Sequence, residues 1–195
     1  MVVLWKARDT LRHATREIHE RLHGHAAFQR LLGGTISRAE YCALLGRMYG
    51  FHRSLEAALE GHADRYPMLQ LDGRRRAHLL ATDLAFLGWS DREVDALPLC
   101  VIPRPLDTSG RIAGSLYVKE GALLGGRVLA RKLDILLEPG LNGRRFFAGS
   151  EHDSELWRNF CSAIEAPVFA DHIGDMVTAA CETFELFEQW ISGQM

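Results

Sequence analysis

Ser37-Arg38-Ala39-Glu40 is a capping box, and it opens the longest helical pattern in the chain. A serine hydroxyl and a glutamate three residues on each satisfy a free backbone N–H of the first turn, which fixes where a helix begins. From there Tyr41, Leu44, Leu45, Met48, Phe51, Leu55 and Leu59 recur in steps of three and four as far as Gly61, the spacing of one helix face. The same period returns along the chain. Leu11, Thr15, Ile18 and Leu22 make a face that stops at Gly24, residues 74–87 make another, and Ser90-Asp91-Arg92-Glu93 is a second capping box on a short helix. Residues 108–137 and 154–166 also read as helices, and Pro167 marks a helix start or kink. The last helix carries Val177, Ala180, Phe184, Phe187 and Ile191. Pro98, Pro103 and Pro105 remove ladder donors from the apolar stretch 97–106, which is therefore an extended connector and not a strand. Residues 139–143 are loop. No segment sustains the alternation of a half-buried strand, so the expectation is an all-α fold with one domain over residues 1–195.

With 195 residues, 47% of them hydrophobic and 25% charged, the chain has the makeup of a globular domain with a real core. Its net charge of -2 provides no broad basic field, so no nucleic-acid partner is expected. Cys42, Cys100, Cys161 and Cys181 stand far apart and form no CxxC pair. That argues against a zinc ribbon or thioredoxin-like centre and suits free thiols in a reducing compartment. No apolar run approaches the roughly 20 residues that span a bilayer. Charge arrives by Lys6 and Arg8, too early for a secretory leader. The expected location is cytoplasmic, with no membrane partner. Arg74-Arg75-Arg76 reads as a solvated helix start, and a contact for an acidic electron donor is its functional alternative.

Two helices carry features that packing alone does not require. In residues 114–126, Gly114, Gly121 and Gly125 lie at i, i+7 and i+11, within roughly 20° of one face, and Gly126 sits beside them. Each interior glycine costs about 0.5–1 kcal/mol relative to alanine. Something offsets that cost, either a neighbouring helix packed closely against the stripe or a flat ligand laid on the backbone. His19 has a similar ambiguity. It is either a core-edge histidine donating to a carbonyl or a metal ligand. Arg12 precedes it by seven residues and projects from nearly the same face, roughly 10 Å away along the axis. That separation suits a metal at the centre of a macrocycle and an acid group at its edge.

Leu11-Arg12-x-x-Thr15-x-x-x-His19, taken with Tyr117-Val118-x-Glu120-Gly121-x-x-Leu124-Gly125-Gly126, resembles the heme oxygenase family, and its bacterial branch most. Leu156-Trp157-Arg158 and Thr183-Phe184-x-Leu186-Phe187-Glu188 extend the resemblance over nearly the whole chain. It implies a helical bundle with haem sandwiched between a proximal and a distal helix. His19 would be the proximal iron ligand, and Gly121, Gly125 and Gly126 would belong to the distal helix. Arg12, Thr15, Tyr117 and Arg158 would be the cofactor-binding residues, with Arg12, Tyr117 and Arg158 on the propionates and Arg12 able to grip one bidentately.

The implied reaction opens haem to biliverdin, carbon monoxide and ferrous iron with O2. Electrons would come from an external ferredoxin or NAD(P)H reductase, since the chain has no nicotinamide or flavin fingerprint. The bacteriophytochrome-associated type of this branch would pass biliverdin to a phytochrome; iron release is the other use. Two positions depart from the family. Ala122 stands where many members have an acidic residue that anchors the distal water network. His23 stands where animal members have a carboxylate four residues after the ligand. A haem sensor or carrier that leaves the ring intact is the alternative favoured by Ala122. A haem-free enzyme of the same helical fold is another, and Glu20-x-x-His23 is its lone di-iron-like spacing.

Overall fold

The computed structural model describes residues 6–193; the first five residues of the segment read above for a leader lie outside them. Every regular element among the described residues is helical. The chain runs through α1 (Ala7–Ala14), α2 (Arg16–His23), α3 (Ala26–Leu32), α4 (Arg38–Glu60), α5 (Ala77–Phe86) and α6 (Asp91–Asp95). After an extended connector come α7 (Ser109–Gly121), α8 (Leu123–Lys132), α9 (Arg145–Ala148), α10 (Asp153–Ile164) and α11 (Ile173–Ile191). Short 3₁₀ turns fill several joints, including Pro167–His172 with its proline in the first turn.

Both capping boxes form as the sequence requires, at Ser37/Glu40 on α4 and Ser90/Glu93 on α6. Leu44, Leu45, Met48, Phe51, Leu55 and Leu59 all face inward from α4. The connector lies across this helix at Gly50, whose carbonyl accepts the Cys100 N–H at 3.2 Å. A side chain at residue 50 would strike the Pro98 carbonyl, so glycine lets the backbones touch.

The most extensive helix contact joins α7 to α11. Gly110 meets His172 and Asp175, Gly114 meets Met176 and Ala180, and the Ser115 and Thr183 hydroxyls bond at 2.9 Å. The contacts advance together along both helices, so the two run in the same direction. Apolar side chains gather in two clusters. One is built mainly on α1, α2, α7, α10 and α11, the other on α3, α5, α8 and α9, with α4 contributing to both. Phe28 and Phe187 pack against each.

Three sequence readings need correction. The proximal stretch is two helices that meet at Thr15. The 108–137 helix is interrupted at Ala122 and ends in a 3₁₀ turn at Leu133–Ile135. The arginine run is not a solvated helix start. Arg74 and Arg76 are buried, only Arg75 is exposed, and α5 begins after them at Ala77. Helical periodicity cannot separate a solvated charge from one with a buried partner far away in sequence.

Candidate functional site

Thr15 shapes the proximal side. Its buried hydroxyl donates to the Leu11 carbonyl at 2.8 Å, a side-chain bond to the preceding turn that competes with regular helix. The backbone ladder nevertheless continues through the joint, Thr15 N–H to the Leu11 carbonyl at 2.9 Å and His19 N–H to the Thr15 carbonyl at 3.0 Å. Arg12 and His19, seven residues apart, therefore stay on one face.

The His19 ring is open to solvent on one side. On the other it lies edge-on to His23, with centroids 4.5 Å apart, and to Phe184 of α11 at 6.1 Å. Partial burial, then the neighbouring His23, lower its pKa below the usual 6.5 against an opposing pull from Glu20. The imidazole is thus neutral at neutral pH, the form whose lone pair can bind a metal. Among the described residues no group of three or more His, Cys, Asp or Glu side chains gathers as a metal site.

Tyr117 of α7 stands beside Thr15. Burial raises its phenol pKa, while the Thr15 hydroxyl and the more distant Arg8 and Arg12 guanidiniums pull it back. Arg12 is exposed at this edge. Just past the end of α10, the Glu165 carboxylate accepts the Ala7 and Arg8 N–H groups at 2.9 and 3.0 Å and so ties α1 down. Arg158, Cys161 and Glu165 fall on one face of α10 by helical spacing. The exposed Arg158 thus leaves the same side of α10 that reaches α1. The structure brings Arg12, Thr15 and Tyr117 together and sets Arg158 on the adjoining helix face.

The four glycines of residues 114–126 part company. Gly114 is closed by the α11 backbone. Gly121 meets only the Trp157 ring, 3.8 Å from where a Cβ would lie. Gly125 has nothing among the described residues within 4 Å of where a Cβ would lie. Gly126 is backed by Phe147, whose carbonyl oxygen would lie 2.6 Å from a Cβ. Close helix packing accounts for Gly114 and Gly126, and leaves Gly121 and Gly125 without a covering helix. Between these two the helix breaks, with Ala122 exposed at the joint.

Behind Gly121 lies a network of charges that helical patterning passed over. Arg74 pairs with Glu120 at 2.9 Å and donates to the Leu69 and Leu156 carbonyls at 2.7 and 2.9 Å. Lys119 bonds the Arg74 carbonyl and lies 3.3 Å from Glu120 and 3.5 Å from Glu56. Arg76 pairs with Asp153 at 2.6 Å. Arg74 thereby holds both the end of α7 and the start of the Trp157 turn. The one available signal was the adjacent charges Lys119-Glu120, which follow the apolar Leu116 and Val118 on α7. Trp157, 5.7 Å from Tyr117 between ring centroids, was likewise given no role by sequence reasoning. Two small cavities of about 10 and 30 Å³ lie beside Arg74 and beside Arg104. They have room for a water or two, and neither is lined by His19 or Gly125.

Residues 6–193 match the family described as heme oxygenase. A heme oxygenase of Xanthomonas campestris pv. campestris (strain 8004) is 36% identical over 141 residues, which cover 70% of this chain and 79% of that one. Among solved structures, heme oxygenase from Leptospira interrogans superposes with a TM-score of 0.79 at 20% identity, over 97% of this chain and all of that one. Heme oxygenase-1 from the cyanobacterium Synechocystis sp. PCC6803, solved in complex with heme, gives 0.77 at 15% identity over 97% and 92%. The NO- and CO-bound enzyme from Neisseria meningitidis gives 0.77 at 20% over 96% and 91%. These structures share the all-α fold. The family match along nearly the whole described chain makes this protein a member of the heme oxygenase family, a haem-degrading oxygenase.

Proposed function

We propose that haem lies between α2 and the α7–α8 joint, with His19 as its iron ligand and Gly125 on the opposite side. One observation carries the reading: of the four glycines in residues 114–126, Gly125 alone has no described atom near the place of a Cβ. The chain's donors fit the group. His19 offers a neutral imidazole, Arg12 and Arg158 are exposed cations at one edge, and Tyr117 adds a hydroxyl there. Bound haem supplies the iron that takes O2 and the ring that is oxidised, so it is substrate and cofactor together.

The chain's own residues do four things. His19 holds the iron from the proximal side, with His23 and Phe184 limiting the swing of its ring. Arg12, Tyr117 and Arg158 grip the propionates and set the rotation of the ring, hence which meso carbon is attacked. Gly121 and Gly125 keep the distal side free of side chains, so that oxygen can tilt over the ring. Ala122 brings no proton donor of its own, and protons arrive through water at this exposed joint. The products are biliverdin, carbon monoxide and ferrous iron. The electrons come from an external ferredoxin or NAD(P)H reductase in the cytoplasm, and the use of the reaction is either biliverdin for a phytochrome or the release of iron.

The test is Gly125→Leu. Its side chain enters open space, so stability is expected to change by less than about 1 kcal/mol, while biliverdin formed per haem-loaded molecule falls roughly a hundredfold. Undiminished turnover in a stable Gly125→Leu protein removes Gly125 from the haem face.

A further inference from the structure

α9 is a single turn, too short to hold its own shape, yet it supports the distal helix where the two come closest. The Phe147 carbonyl lies against Gly126, the neighbour of the open Gly125. Three side chains fasten residues 143–148, Tyr41 and Asp83 from other helices and Arg144 reaching outward. The Tyr41 hydroxyl donates to the Gly143 carbonyl at 2.7 Å. The Arg144 guanidinium donates to the Ala130 and Glu138 carbonyls at 2.8 Å and pairs with Asp134, tying the end of α8 to the start of α9. From α5, Asp83 accepts the Arg145 N–H on one oxygen at 2.8 Å and the Phe146 N–H on the other at 2.9 Å.

Asp83 has no solvent exposure. Burial raises its carboxyl pKa to about 6, against the pull of the Phe146 and Arg145 N–H groups and of the Arg145 and Arg144 guanidiniums. Tyr41 faces it from α4, with its own pKa raised by burial first and Asp83 second. Ionised at neutral pH, Asp83 is a buried charge whose described hydrogen bonds both go to one short turn. Buried charges rarely add net stability over an apolar residue of the same size. What this one adds is a fixed place for α9.

We propose that Asp83 is a positioning residue for haem opening: it clamps α9 from α5, presses the Phe147 carbonyl on Gly126, and so sets how far Gly125 stands from the ring. The proposal rests on the reading of Gly125 as the distal face.

Asp83→Asn keeps the shape but turns an amide N–H toward a backbone N–H. Gly126→Ala pushes on the same contact from the other side. Ile164→Ala, in the other apolar cluster, serves as a general destabilising control. The first readout is amide exchange in the haem-free protein. Asp83→Asn and Gly126→Ala are each expected to speed exchange at residues 125–132 roughly tenfold while residues 16–23 keep their rates. The second is steady-state kinetics, where turnover per haem-loaded molecule is expected to fall about fivefold with haem Kd changed less than about twofold. Unchanged exchange in α8 overturns the clamp, as does exchange rising equally in α2 and α8 after the fashion of Ile164→Ala. Selective exchange with undiminished turnover overturns the positioning role. Failure of the haem reading itself registers separately, as full turnover in Gly125→Leu.

Discussion

At the level of single side chains, His52 is where burial and charge conflict most openly. It lies on the inner face of α4 between Phe51 and Phe146, with ring centroids at 5.6 and 4.8 Å, and its Nδ1 has no hydrogen-bond partner among the described residues. Burial above all, then the nearby Lys119 and Arg76, hold its pKa well below the usual 6.5. The unfolded chain takes up this proton near pH 6.5 and the folded chain does not. The stability tied to neutral His52 is therefore present above pH 6.5 and lost as pH falls below it, by up to about 1.4 kcal/mol per pH unit for one proton. Asp83 works in the opposite sense, because its raised pKa favours the folded state as pH falls toward 4. The two overlap, so the informative quantity is the difference between wild type and His52→Leu in urea unfolding at pH 7.5 and 5.5. That difference is expected to shrink or change sign in favour of the variant at low pH; a difference independent of pH would mean that His52 charges freely in the fold. Sequence gave this residue no role, since a histidine on a periodic face looks the same whether or not its ring is solvated.

Among the elements, α7 and α8 divide the work of the glycines. At Gly114 a methyl group would meet the backbone of α11, which cannot step aside as a flexible side chain can. Gly114→Ala is expected to cost about 1–3 kcal/mol of stability, read from the urea midpoint, with turnover per folded molecule preserved. A melt unchanged from wild type would show that the α7–α11 contact is looser than its geometry implies. Helical spacing placed Gly114, Gly121 and Gly125 on one face correctly in angle. It could not tell which stretch of that face a neighbour covers, because α11 lies about sixty residues further on. The helix starts were legible for a local reason, as both capping boxes are complete within four residues. The break at Thr15 and the burial of Arg74 depend on partners distant in the chain, and those were not.

For the molecule as a whole, haem that binds the fold and not the unfolded chain adds to folding stability. With free haem at about a hundred times Kd the gain is about 2.7 kcal/mol, which for a chain of this size raises Tm by roughly 5–10 °C. In His19→Ala the fold is expected to persist while most of that rise and the iron-ligand signature in the visible spectrum are lost; an equal rise with an unaltered spectrum would place the ligand on another residue. The all-α fold was readable from period and caps because each helix announces itself locally. The joint between the apolar clusters at Phe28 and Phe187 was not, since it depends on α3 meeting α11. The carboxylate that ties down α1 has a further consequence. Glu165 reaches back more than 150 residues to the Ala7 N–H, and Glu188 holds Arg21 across 167. As the chain leaves the ribosome, α1 and α2 emerge early but lack these two anchors until α10 and α11 follow. His19 is synthesised in the first tenth of the chain, while Phe184 beside its ring and Glu188, which holds its helix through Arg21, arrive in the last tenth.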